Sequence, residues 1–196
     1  MDSHDLPGGA QPSSSSRRRG VTHHSCNTQD DGRKIKLSIN EFGQPNDGNA
    51  DGTTFSLAIG VLARAHIPIT YKTFTDVPPE YIQRIISTLE EKFEFENVGG
   101  VDGAYVRNYI NAAWRNHKYR LYMSRVKDKD PIVAREGPAP TQVPIDDWRI
   151  FVDYCNSEEF KATSTKNAAN RSKQAAPYTL GRKSMVVTHH EMVCKY

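Results

Sequence analysis

The chain has 196 residues, of which 37% are hydrophobic, and its 26 Lys and Arg outnumber its 23 Asp and Glu by three. This length suits one ordinary domain with tails. No stretch approaches the roughly 20 apolar residues of a membrane span, residues 1–19 lack the apolar segment of a signal peptide, and three widely separated cysteines do not suit a disulfide framework. We therefore expect neither a membrane protein, nor a secreted disulfide-rich scaffold, nor a large enzyme.

The small net charge conceals two basic blocks. Residues 102–135 carry eight basic and three acidic groups, and residues 160–196 carry seven basic groups and one acidic group. Each block follows an acidic segment, 53–101 or 136–159. Concentrated basic stretches create a local potential of several kT, and both blocks also carry aromatic or Asn residues, which favours a polyanionic partner. A solvated helix surface of mixed charge is the alternative interpretation.

The first predicted elements are a tail, a strand and a helix. Residues 1–32 contain almost no large apolar side chain, so we expect a disordered N-terminal tail. Residues 33–39 alternate basic or polar with apolar side chains, which predicts a short half-buried strand. A first helix is expected to begin at Thr53 or Thr54 and to end before Pro68. Its predicted apolar face comprises Leu57, Val61, Leu62 and Ala65.

The second predicted helix is acidic on its exposed side. The signal at residues 77–80, with prolines in the first turn, predicts its start, and Gly99-Gly100 its end. Its predicted apolar stripe comprises Tyr81, Ile82, Ile85, Ile86, Leu89 and Phe93. The opposite side carries Glu90, Glu91, Glu94 and Glu96. We interpret this helix as one that packs in the core rather than one that binds a polyanion.

The third predicted helix begins near Asp102 and has two separate faces. The apolar face comprises Val106, Ile110, Ala113, His117 and Leu121, with Trp114 at its edge. The neighbouring basic stripe comprises Arg107, Asn111, Arg115, Lys118, Tyr122 and Arg125. We expect the apolar face to pack on the second helix and the basic stripe to face outward. His117 and Trp114 are interpreted as core or boundary residues rather than as a catalytic group and a stacking platform.

The remaining chain predicts a linker and two further helices. Residues 127–144 are interpreted as a charged, Pro-rich linker. A fourth helix follows, with Trp148, Phe151, Val152 and Cys155 at apolar positions. After a cap at 156–157, a fifth helix is expected over about 158–175. Beyond Phe160 it offers only alanines as apolar side chains, so it needs a partner or frays. Pro177 ends it, and 177–196 is expected to be a flexible extension.

These elements predict a mainly α fold, a small bundle of about five helices with a short N-terminal strand and disordered tails. The ordered module is expected to cover residues 33–176. The sequence contains no Walker loop, nucleophile elbow, CxxC pair or metal-spaced carboxylate triad, so we expect neither catalysis nor a cofactor. His and Cys clusters at 23–26 and 189–194 have spacings that can ligate zinc or copper. Because both lie in poorly structured ends, we do not interpret them as metal sites.

Several motifs occur in an order that resembles a known family. They occupy residues 34–37, 40–45, 77–80, 114–121, 164–171 and 181–184. The succession resembles the plant transposase module of the Ptta/En/Spm type, whose W-R-x-x-K-x-x-L helix is similar to 114–121. The resemblance covers roughly residues 33–192 and implies a plant mobile-element origin and work on DNA in the nucleus. It does not imply transposition, because strand transfer requires acidic catalytic residues that we cannot place in this chain.

Two functions are compatible with these patterns. The first is a non-catalytic module that binds duplex DNA through basic helices, with cations on phosphates and Asn167 or Asn170 on an adenine edge. Its candidate contacts are Arg107, Arg115, Lys118, Arg125, Lys166, Asn170, Arg171 and Lys173. The alternative is a protein-interaction or oligomerisation module without DNA affinity. In that case the acidic second helix meets the basic third or fifth helix of another copy, or a transposase-related partner binds instead.

Overall fold

The computed structural model describes residues 33–40, 43–45, 50–95 and 102–173. In these ranges the chain forms β1 (Ile35–Leu37), α1 (Ala50–His66), α2 (Pro79–Lys92), β2 (Phe93–Phe95), α3 (Gly103–Leu121), α4 (Pro131–Glu136), α5 (Ile145–Asn156) and α6 (Glu158–Ser172). A 3₁₀ turn spans Phe74–Asp76, and a π-helical turn, Tyr122–Val126, continues α3. The predicted mainly α fold is confirmed, with six helices in the described ranges instead of five. The predicted tail regions 1–32 and 177–196 lie outside these ranges.

The two strands pair in parallel, with Ile35 opposite Phe93. β1 confirms the predicted strand, whereas β2 corrects the expectation that the second helix includes Phe93 and Glu94. In an extended backbone every second side chain points to the same side. Both Phe93 and Phe95 therefore contact Phe55, with ring centroids 5.1 and 6.0 Å from it, while Glu94 is exposed. A continued helix would point the two phenylalanines in different directions.

The central helix α1 buries a face that differs from the predicted one. Its buried side chains are Phe55, Ala58, Ile59, Leu62 and Ala63. Of the predicted face only Leu62 is buried, and Ala65 is exposed. Apolar residues surround most of this helix, so their spacing does not select one face. α1 consequently packs against both α2 and α3.

α2 and α3 bury part of the apolar faces that the sequence predicts, and the other members are half-buried or lie in β2, but α3 packs mainly on α1 rather than on α2. Ile82, Ile85 and Leu89 of α2 are buried, as are Val106, Ile110 and Trp114 of α3. The indole N–H of Trp114 donates to the Pro68 carbonyl oxygen at 3.2 Å, which fixes α3 beside the end of α1. The interpretation of Trp114 as a core residue is confirmed.

A second hydrophobic core lies beneath α4 and α5. Its buried members are Ile69, Val126, Ala134, Trp148, Phe151, Val152 and Cys155, which confirms the four predicted apolar positions of α5. The expectation of a simple linker over 127–144 is wrong, because α4 forms within it. Asp130 caps α4 by accepting the N–H groups of Ile132 and Val133, and Pro131 occupies the first turn. The Trp148 indole donates to the Ala134 carbonyl oxygen at 3.0 Å and joins α5 to α4.

α6 confirms the predicted polar fifth helix. The Ser157 hydroxyl accepts the N–H of Phe160 at 3.3 Å and caps the helix. None of the fifteen residues of α6 is buried. No helix in the described ranges has the length and apolar character needed to span a membrane.

Candidate nucleic-acid interface

The ion pairs of the described residues gather around α4, α5 and the start of α6. They are Arg135 with Glu136 and Asp153, Arg149 with Glu136 and Asp146, Lys161 with Glu158, and Lys72 with Glu159. All involve exposed or half-exposed side chains that solvent screens, so they contribute little to stability. Their effect on the distribution of charge is larger, because neighbouring cations neutralise most carboxylates of the acidic block 136–159.

α3 and its π-helical turn present the opposite situation. Residues 103–126 contain no Asp or Glu. They contain the five cations Arg107, Arg115, Lys118, Arg120 and Arg125. All four arginines are exposed, and none of them forms an ion pair within the described part of the chain. Positive charge on this helix therefore remains available to a ligand.

The predicted basic stripe is not continuous, because Lys118 points inward. Its ammonium donates to the carbonyl oxygens of Tyr71 and Lys72 and lies 4.2 Å from the Trp114 ring centroid. Burial lowers the pKa of this ammonium to about 8. The expectation that Lys118 faces outward is wrong. The segment between α1 and α2 covers this side of α3 and supplies carbonyl oxygens that a lysine one turn after Trp114 can reach.

The three predicted arginines remain exposed but do not share one line. The Arg107 guanidinium lies over the Phe74 ring at 5.7 Å, beside the same covering segment. Arg115 lies further round the outer face of α3. Arg125 lies in the π-helical turn, whose wider hydrogen-bonding pattern breaks the α-helical periodicity that the prediction assumes.

The α6 candidates are all exposed. Lys166, Asn170 and Lys173 recur at four- and three-residue spacing and share one side of the helix, whereas Arg171 lies more than 90° away from Lys166. None of the three cations forms an ion pair in the described ranges. The second half of α6 is thus basic and largely surrounded by solvent.

An aromatic contact connects the two basic helices. The Phe160 ring lies edge-on to Tyr122, with centroids 4.9 Å apart, and to Tyr154, at 5.3 Å. Tyr122 begins the π-helical turn, and Phe160 lies in the first turn of α6. The end of α3 and the start of α6 therefore meet at one corner of the molecule. Sequence reasoning missed this contact, although Phe160 is the sole large apolar residue of α6.

The two titratable groups interpreted as structural lie in apolar surroundings. Burial, reinforced by the charges of Arg64 and Arg120, lowers the pKa of His117 to about 4, so its imidazole is neutral at pH 7. Burial raises the pKa of the Cys155 thiol to about 12, which leaves it protonated and unreactive. The described residues contain no group of three or more His, Cys, Asp or Glu suited to a metal ion. The clusters at 23–26 and 189–194 lie outside them.

The outer face of α3 also contains residues that sequence reasoning missed. Asn108, Asn116, Tyr119 and Arg120 are all exposed. Tyr119 is 53% exposed, an unusual position for a large aromatic side chain. The signal for the first three is present in the sequence, because they lie on the side of the helix opposite to Val106, Ile110 and Trp114, and Arg120 lies at the border of that side. The predicted stripe instead follows the edge of the buried face, which is where Lys118 becomes covered.

Comparison with known proteins supports a mobile-element origin. Residues 145–196 match the sequence profile of a plant transposase family, Ptta/En/Spm. This confirms the suspected resemblance over the stretch that includes α5 and α6. Neither curated proteins nor solved structures give a significant match to the chain. The family match supports a transposon-derived protein.

Proposed function

We propose that this chain is a non-catalytic, transposon-derived module of a plant nucleus that binds duplex DNA through α3 and α6. The observation that carries the proposal is the group of exposed arginines on α3 and its π-helical turn, which have no carboxylate on their own helix and no ion-pair partner in the described ranges. Such a helix attracts phosphates and releases their counterions.

The polar character of α6 supports the same partner. A fifteen-residue helix with no buried residue gains little from the protein interior. Lys166 and Arg171 in its second half, and Lys173 directly after its end, would gain from a phosphate backbone. Asn170, on the same side as Lys166, stays the α6 candidate for an adenine edge.

The number of available cations sets the expected salt dependence. If about six of the exposed cations of α3 and α6 contact phosphates, the logarithm of affinity falls with the logarithm of salt concentration at a slope near −5. Lys118 is left out of this set because its ammonium already binds two backbone carbonyls.

The test is binding of the full chain to a random-sequence duplex, measured by fluorescence anisotropy at several salt concentrations. Replacing Arg120 and Arg125 by Ala together is expected to weaken binding and to reduce the magnitude of the slope by about two. The matched control replaces Arg135 and Arg149, two arginines already paired with carboxylates, and is expected to retain most of the slope. Equal effects of both double variants would contradict the proposed contact surface, and so would a changed slope in Lys118→Ala.

A protein-interaction module is the second candidate, and the acidic surface at the end of α2 and in β2 favours it. Glu90, Glu91 and Glu94 are exposed and form no ion pair in the described ranges. This surface is complementary to the basic helices α3 and α6 of a second copy. Light scattering after size exclusion at two salt concentrations separates the candidates. A salt-sensitive dimer without DNA affinity would favour this function over DNA binding.

A further inference from the structure

The outward side of α3 carries a strip of side chains with base-contacting chemistry. Within about 120° of the helix circumference lie Ala104, Asn108, Ala112, Arg115, Asn116 and Tyr119, all of them exposed. The strip runs for about 22 Å at the rise of an α-helix. It faces away from the core residues Val106, Ile110 and Trp114.

The residue types in this strip match the edges of bases in the major groove. An Asn amide bonds adenine in a bidentate manner, an Arg guanidinium bonds guanine in the same manner, and an Ala methyl contacts the thymine methyl. Asn108, Arg115 and Asn116 supply the two polar types. The small side chain of Ala112 lies between Asn108 and Asn116, and that of Ala104 lies at the start of the strip. Both allow the helix backbone to approach the base edges closely.

Cations border the strip on opposite sides. Arg107 lies about 120° from Tyr119 around one side of the helix, and Arg120 about 100° around the other. A helix in the major groove, which is about 12 Å wide, has a phosphate strand on each side. The two arginines are thus placed for the two strands, while the strip between them faces the bases. Phosphate contacts position a protein on the duplex, and base contacts give it a sequence preference.

α3 is also the basic helix whose position is fixed before any ligand binds. Val106, Ile110 and Trp114 are at most 6% exposed, and the Trp114 indole is bonded to Pro68. Base contacts need side chains held to within a fraction of an ångström, which a rigid element provides. α6 is anchored near its start through Phe160 and suits phosphate contacts, which tolerate a less exact position.

We propose that α3 is a major-groove recognition helix, in which Asn108, Arg115 and Asn116 contact base edges while Arg107 and Arg120 contact the flanking phosphates. This inference rests on the proposed DNA-binding function and adds a sequence preference to it. It assigns that preference to residues on the outer face of α3.

The test begins with selection of preferred duplexes from a random-sequence library by the full chain. Affinities for the selected duplex and for a scrambled duplex are then compared. Asn108→Ala and Asn116→Ala are each expected to reduce the ratio of the two affinities about tenfold, with little change for the scrambled duplex. Arg120→Ala is expected to weaken binding to both duplexes by the same factor. Gln83→Ala on α2, an exposed amide outside the proposed surface, is the matched control and is expected to leave the ratio unchanged.

Chemical probing identifies the groove independently. Methylation of guanine N7, which lies in the major groove, is expected to block binding of the selected duplex. An RNA duplex of the same sequence is expected to lose the preference, because its deep, narrow major groove excludes side chains. Selection of no preferred sequence, or equal losses on both duplexes in the Asn variants, would overturn the recognition helix and leave general DNA binding in place. Failure to bind any duplex would overturn the proposed function as well.

Discussion

Phe160 is the residue on which attachment of α6 depends, and replacing it by Ala is expected to release the helix locally. It contacts Tyr122 and Tyr154 edge-on at 4.9 and 5.3 Å, and no other large apolar side chain of α6 reaches the body. Without this contact α6 becomes a polar helix of fifteen residues, which is marginal in water.

The expected loss exceeds what the other attachments of α6 supply. Removing a fully buried Phe costs 3–5 kcal/mol, so a half-buried Phe160 with two aromatic partners corresponds to about 2 kcal/mol. The Lys72–Glu159 pair joins side chains that are 53% and 61% exposed, so solvent screens the pair and it contributes little to docking. The Ser157 cap contributes about 1 kcal/mol but stabilises the helix itself rather than its docking.

Amide hydrogen exchange measures this release. The α6 amides of Phe160→Ala are expected to exchange about 30-fold faster than those of the unmodified chain, which corresponds to 2 kcal/mol. Glu159→Gln is the matched control, and its α6 amides are expected to speed up by less than about fivefold. On the proposed DNA role, Phe160→Ala also binds duplex DNA more weakly, because α6 must then become ordered on binding. Unchanged exchange in α6 would refute the reasoning and show that other contacts hold the helix.

Two further predictions concern stability. His117 has a pKa of about 4 in the folded chain against 6.5 as its ordinary value, so the unfolded state binds the extra proton and stability falls as the pH falls from 6.5 to 4. Because the ring is partly exposed to solvent, the loss stays below the roughly 3 kcal/mol of the full shift. Urea unfolding followed by Trp fluorescence should show a weaker pH dependence in His117→Gln over this interval, and an identical dependence would contradict the assignment. Ile110→Ala is expected to cost about 3 kcal/mol at a position with 0% exposure. Ile150→Ala, at 53% exposure, is expected to cost below about 0.5 kcal/mol, and similar costs for both would contradict the described core.

Sequence periodicity predicted the buried faces of those helices that pack against the core on one side only. α2 and α5 carry apolar residues on one side and charges on the other, so their spacing alone selects the buried face. α1 is apolar on most sides, and its buried face depends on Phe93 and Phe95, which come later in the chain and pack against Phe55. β2 was missed because a three-residue strand has too few alternating side chains to outweigh the helix pattern that precedes it.

Part of the candidate interface was predictable because it depends on the residues of a single helix. The absence of Asp and Glu from 103–126 is visible in the sequence, and so is the exposure of every α6 candidate. The position of Lys118 was not predictable, because it depends on carbonyl oxygens 46 and 47 residues earlier in the chain. The meeting of Tyr122 with Phe160 depends on the second core in the same way. Periodicity describes one helix at a time and contains no information on which segment will cover it.

The two basic helices therefore differ in a property that matters for binding. α3 is held along its length by Val106, Ile110 and Trp114, so its outer side chains lose little further backbone entropy when a ligand binds. α6 is held near its start by Phe160, so contacts at Lys166 and Lys173 must offset the ordering of the helix end. A polyanion compensates for that cost because each phosphate contact releases counterions. It follows that high salt should weaken the contribution of α6 before that of α3, and that sequence preference should survive at salt concentrations where α6 no longer contributes.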